Sequence, residues 1–358
     1  MQTVEVDRTA TATATTTTTN WVRISLVAGL VTVLALDYRA IVSAVTNAVI
    51  QAVGASAGWL TIAAGSAAAS MIAFGLLRQR TIAAGGGTLG IREAVAVSYA
   101  AGAIHLTTPG GVVLSTTYVF RRLQRRHLQP ATIAWSVTVS GVLSTVTLMI
   151  LGVAGFAAGR TSDALEAFLP ALAMTLLVTA TVIALGRRAD LVARLVVRGL
   201  RMVNRVVRRP ADAGVLTAQA LITDLRSIRP APMDWLTSTG AAIANWLLDL
   251  LCLWACAQAL GIHIAPWLLL TSFALAMAGA GVSPLPGGVG VVESILVFAL
   301  AAGAHVPVGT AIGAVLLYRV ISLGSLLAIG WLSIGMQSVR TRSRSHQAPV
   351  SARIPALH

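Results

Sequence analysis

Pro109-Gly110-Gly111-Val112 and Pro286-Gly287-Gly288-Val289 are one four-residue phrase written twice inside apolar sequence, and each copy is followed 21 residues on by another proline, Pro130 and Pro307. Proline removes a backbone donor and glycine loosens a helix, so each phrase breaks whatever helix contains it. At membrane depth the freed backbone groups must be met by protein or by a water-filled cavity, because lipid offers them nothing. Broken helices at matching positions in two halves of a chain point to a transporter's substrate site.

The composition sets the stage for that reading. Of 358 residues, 56% are hydrophobic and 11% charged, with a mean hydropathy of +0.81. That is too little polar sequence to cover a soluble globule, and the fold class expected is an all-α integral membrane protein. The formal net charge of +14 rests on 26 arginines and no lysine. These arginines flank apolar runs, where they fix topology and meet anionic headgroups, so nucleic acid is not an expected partner. Cys252 and Cys256, one helical turn apart in an apolar run, read as packing residues, and no metal or cofactor is expected. Residues 1–20, rich in Thr and Ala, read as a disordered tail; Glu5 and Asp7 stand where a signal peptide would carry basic residues, so no cleaved signal is expected.

About six runs approach the length needed to span a bilayer: 21–36, 56–77, 131–157, 167–186, 235–260 and 308–333. Between them lie 94–119 and 266–303, each interrupted by a Pro-Gly-Gly break. Arg78 and Arg80 precede the first broken run and Arg121, Arg122, Arg125 and Arg126 follow it, so both of its ends are placed in the cytoplasm and it becomes a re-entrant helical hairpin. Following the arginines onward, through the basic stretch 187–230 to Arg340, Arg342 and Arg344 in the tail 337–358, the second hairpin begins and ends outside. Span, hairpin, span over 56–157 is then repeated upside down over 235–333, within a polytopic domain of 21–336 whose termini are both cytoplasmic. The competing reading is two unrelated Pro-Gly kinks in an ordinary bundle.

Arg194, Arg198, Arg201, Arg205 and Arg208 line one face of a helix in the cytoplasmic stretch, with Leu191, Leu195, Met202, Val203 and Val206 towards the other. Such a helix lies on the inner leaflet, either recruiting anionic lipid or anchoring the topology. Ionisable residues inside spans are costly and so become candidate functional groups. Glu293 follows the second break, Arg319 lies in the last span, and Asp249 sits with Asn245 at i, i+4 in 235–260. Glu293 and Arg319 are expected to pair, and the pair serves either a lipid phosphate or the register of the fold. Gly110, Gly111, Gly287 and Gly288, with Pro109 and Pro286, would let a headgroup approach the backbone at the breaks. Arg92 and Glu93 read as a solvated helix start, and His105 as a core histidine.

No zinc-protease, nucleotide-binding or dinucleotide-binding motif is present, and no soluble segment is long enough for a catalytic domain, so an enzyme is not expected. The stretch from Ser283 through Pro286-Gly287-Gly288-Val289 to Glu293, with Tyr318-Arg319 in the next span, resembles the signature of the flippase-like transmembrane family of lysylphosphatidylglycerol synthases. Thr108-Pro109-Gly110-Gly111, running through Tyr118 to Arg121-Arg122, is similar in the first half, so the resemblance covers about residues 20–335. Relatives often carry Arg where this chain has Val292, and a Glu-Arg pair where it has Ser140-Gly141-Val142. The resemblance implies two re-entrant hairpins and movement of a lipid between leaflets: anionic, aminoacylated or polyprenyl-linked. Nothing here resembles the soluble aminoacyl-transfer domain of those synthases, so lysine transfer is not implied. The expected setting is the bacterial inner (plasma) membrane, with anionic lipids, a lipid-modifying enzyme and a second copy of the chain as admissible partners. The alternative function is an accessory subunit of a separately encoded glycosyl- or aminoacyl-lipid transferase.

Overall fold

The computed structural model describes residues 57–108, 110–159, 173, 189–206, 210, 212, 214–283 and 286–346. Every regular element among them is helical. The first unit is α1 (Ala57–Ala84), α2 (Ile91–Thr107), α3 (Gly111–Gln124) and α4 (Pro130–Gly159). A further pair follows, the basic α5 (Ala189–Val206) and α6 (Val215–Ser227). The second unit is α7 (Pro232–Ala259), α8 (Pro266–Val282), a 3-10 turn at Pro286–Gly288, α9 (Val291–Gly303) and α10 (Val308–His346). Among the described residues four helices are long and apolar enough to cross a membrane: α1, α4, α7 and the Val308–Met336 part of α10. The expected spans 21–36 and 167–186, both tails, Pro109 and Arg208 lie outside the described residues.

Both Pro-Gly-Gly phrases separate two short helices, and in both the chain turns back on itself. Leu268 at the start of α8 lies against Gly303 at the end of α9, while Gly279 near the end of α8 faces Val291 and Ile295 at the start of α9. In the first unit Glu93 at the start of α2 reaches Arg122 and Arg126 at the end of α3, and the His105 carbonyl near the end of α2 abuts Gly111. The backbone repeats its detail. Gly110 and Gly287 both sit in the left-handed region, at φ 69° and 68°, and so do His127 and His305, at φ 59° and 53°. Each histidine closes its hairpin just before the proline that precedes the next span, Pro130 at the first turn of α4 and Pro307 ahead of α10. Proline's fixed φ and missing N–H suit that position.

The packing pairs exchange between units. α1 packs most extensively on α7, through small residues such as Ala67 and Ser70 that let the backbones approach. Ser70 Oγ donates to the Asn245 carbonyl (3.0 Å), and Asn245 Nδ2 returns bonds to Ser70 O (3.0 Å) and Oγ (2.9 Å). The α2 arm of the first hairpin lies on α10 of the second unit, and the α8 arm of the second hairpin lies on α4 of the first.

Three local readings need correction. Arg78 is not in a loop: α1 continues past residue 77, and the guanidinium is buried, donating through Nε to Ser98 Oγ (3.0 Å) and lying 5.7 Å from the Phe74 ring centre. A hydroxyl and an aromatic face replace the water a loop would have supplied. Glu93 is not a merely solvated helix start, because its Oε1 is 2.6 Å from Arg126 Nε and 3.4 Å from Arg122 Nη2, clamping the base of the first hairpin. Met202 of α5, expected away from the arginines, is exposed and shares an open groove with Arg198, Arg201 and Arg205.

Candidate functional site

The tips of the two hairpins meet. A Cβ on Gly287 would stand 2.6 Å from Leu106 Cδ2, so the second tip is set against the end of α2 with no room for a side chain between them. Beside this contact opens a cavity of about 690 Å³, within the range of small-molecule sites. Gly110, Gly111 and Val112 line it from the first tip and Gly287 from the second; Asp249, on α7, and Arg319, on α10, supply its charge.

Arg319 is held at one edge only. Its Nε lies 2.6 Å from Glu293 Oε1, with the side chains 10% and 24% exposed, but the N–H is not aligned on the oxygen, so the contact is a charge pairing. Nη2 is buried and has no hydrogen-bond partner among the described residues. Glu293 does a second job: Oε2 accepts the Gly290 N–H at 2.6 Å and so caps the start of α9. Asp249 has no cation at ion-pair distance among the described residues, and its Oδ2 accepts one hydrogen bond, from Tyr318 Oη at 3.2 Å.

The glycines divide between two tasks. Gly110 and Gly287 line the cavity in left-handed geometry. Gly111 backs onto the His105 carbonyl, and Gly288 is buried against Ala280 and Val292, so both also serve close packing. Pro286 opens the 3-10 turn at the second tip. The two half-helix N-termini differ as well. Glu293 occupies the one at α9, whereas at α3 the cap is Gly110, with no side chain, and the first residues of the helix, Gly111 and Val112, face the cavity. Anions settle at such N-termini.

Sequence reasoning did not place His105 or Ser70 here, yet both line the cavity, and His105 is exposed to it rather than buried. Neither carries a local signal; each arrives through the packing of α1 and α2. Among the described residues no three His, Cys, Asp or Glu converge as a metal site, and Cys252 and Cys256 are buried free thiols.

The profile of the lysylphosphatidylglycerol synthase TM region matches residues 20–330. The chain belongs to that family. Membership of the lysylphosphatidylglycerol synthase TM family, together with four helices able to span, makes it a multi-pass membrane protein related to lipid modification. No curated protein matches the chain. The family's match runs across both units and both hairpins, so the residues that line the cavity between the tips lie inside the matched range.

Proposed function

We propose that the chain is a lipid translocase of the bacterial inner membrane, moving a phosphate-bearing lipid between leaflets through the cavity at the hairpin tips. The observation that carries the reading is Arg319 Nη2, buried and without a hydrogen-bond partner among the described residues, on a side chain that lines the same cavity as the open N-terminus of α3. An unsatisfied guanidinium edge at membrane depth is expensive unless a ligand completes it. Phosphate fits, because it can accept from the Arg edge and from the α3 amides together. The apolar walls suit an acyl or polyprenyl neighbour.

In this reading both hairpins are re-entrant, and the two units are an internal duplication inserted in opposite senses. The α2 and α3 arms, 17 and 14 residues long, reach about 25 and 21 Å, short of a ~30 Å bilayer core. The matched left-handed glycines and histidines and the exchanged packing pairs support duplication. Labelling checks the sidedness. Thr88 and Gln124, exposed at the two ends of the first hairpin, become Cys in a Cys252→Ser/Cys256→Ser background. Both should label from the cytoplasmic side only. Labelling from opposite sides overturns re-entrance and, with it, the inverted repeat.

The function itself is tested at Val112, which is 64% exposed and lines the cavity at the second position of α3. Val112→Asp is compatible with a helix start yet puts a carboxylate on the anion site. Reconstituted with fluorescent phosphatidylglycerol, the parent should move the probe between leaflets, Val112→Asp should slow it about tenfold or more, and Val112→Asn should stay near the parent. Equal rates for Val112→Asp and the parent would remove the phosphate from this tip.

A further inference from the structure

Resting on that reading, we infer that Asp249 is a proton-binding site, and that each anionic headgroup entering the cavity brings one proton onto this carboxylate. The argument starts from charge. Five ionisable groups other than Asp249 bear on the site: Tyr318 and Arg319 on α10 and His105 on α2 line the same cavity, Glu293 at the start of α9 pairs with Arg319, and Cys252 lies three residues on along α7. Arg319, the one fixed cation of the five, is held by Glu293 in contact, which leaves Asp249 with a phenol hydroxyl and no cation in contact among the described residues.

With Asp249 ionised and Arg319 matched by Glu293, the empty cavity carries one net negative charge. A phosphate monoanion reaching Arg319 Nη2 would raise that to two in one cavity, in surroundings where unpaired charge is costly. A proton on Asp249 restores the single charge. The bound anion therefore favours protonation, and by linkage protonation favours the anion to the same extent. The proton comes from water in the cavity and returns to water when the headgroup leaves. Tyr318 permits the change without rearrangement, since its hydroxyl donates to the carboxylate and can accept from the carboxylic acid. Loaded and empty forms then carry equal charge, so a proton gradient drives lipid movement in the sense set by which leaflet faces the more acid side.

The experiment titrates short-chain phosphatidylglycerol into the purified full chain in weakly buffered detergent with a pH-indicating dye. The parent should take up close to one proton per lipid bound. The apparent Kd should weaken by up to tenfold per pH unit on the alkaline side of the transition, because a group protonated only in the loaded state lends affinity at low pH that is lost as pH rises. Asp249→Asn should bind with no proton uptake and with a flat pH profile, while His105→Gln should retain the uptake. In liposomes the parent's lipid movement should quicken when the donor side is made acid, and Asp249→Asn should lose that response. Lipid binding without proton uptake by the parent, or uptake that persists in Asp249→Asn, overturns the coupling and leaves translocation standing. Failure of the lipid to bind at all overturns both.

Discussion

Replacing Arg319 with Met lowers the stability of the folded protein by about 3 kcal/mol, and replacing Glu293 with Met in the same chain recovers part of that loss. Removing one member of a buried ion pair strands the other, which costs ~3–5 kcal/mol in general; the lower end applies because the Glu293 carboxylate is 24% exposed. The two single variants are not equivalent. Arg319→Met strands Glu293 and also leaves Asp249 without the nearest positive charge in the cavity, whereas Glu293→Gln keeps an amide oxygen for the Gly290 N–H and leaves Arg319 beside Asp249. The order of loss should be Arg319→Met, then the double Met variant, then Glu293→Gln, read as the midpoint of thermal unfolding in one detergent. Two tolerated single variants and a double no better than either would show that the 2.6 Å contact contributes nothing to stability.

Much of this architecture was readable before any coordinates. A Pro-Gly-Gly phrase acts through local backbone chemistry, so the breaks fall where the residues say they must, and the repeat spacing to Pro130 and Pro307 marks the following helix starts. The pairing of Glu293 with Arg319 was legible for a related reason: two opposite charges placed in apolar runs have few other ways to be satisfied. What was not legible depends on partners distant in sequence. Arg78 reads as a loop residue because the hydroxyl of Ser98 and the ring of Phe74, which let it be buried, declare nothing about Arg78 in their own sequence. His127 and His305 end helices in the left-handed region, a task usually left to glycine or asparagine, and only their shared place before a proline hints at it. The bond from Tyr318 to Asp249 joins residues on two different helices, and the motif that contains Tyr318 says nothing of where its hydroxyl goes.

The glycines at the tips show the same boundary, and they carry the second large effect. Gly111→Ala should cost about 3 kcal/mol or more, because its Cβ would run into the His105 carbonyl oxygen and lie 2.7 Å from the carbonyl carbon and 2.8 Å from the Cα, all backbone atoms that cannot swing aside. Gly288→Ala should be similarly severe: a Cβ there meets the Ala280 Cβ at 2.5 Å and Cα at 2.7 Å, and its φ of +65° is strained for any side chain. Gly110→Ala is the contrast. It shares the left-handed conformation, at φ +69°, but a Cβ there has nothing within 4 Å, so the cost should be only about 1 kcal/mol, from the backbone alone. Thermal unfolding of the three purified variants tests the ranking, and lipid movement by the folded Gly110→Ala protein separates packing from transport. Should Gly111→Ala unfold within a degree of the parent, the close turn of α3 beneath α2 is not what holds the first hairpin shut, and the Glu93 clamp to Arg122 and Arg126 at its other end becomes the element that does.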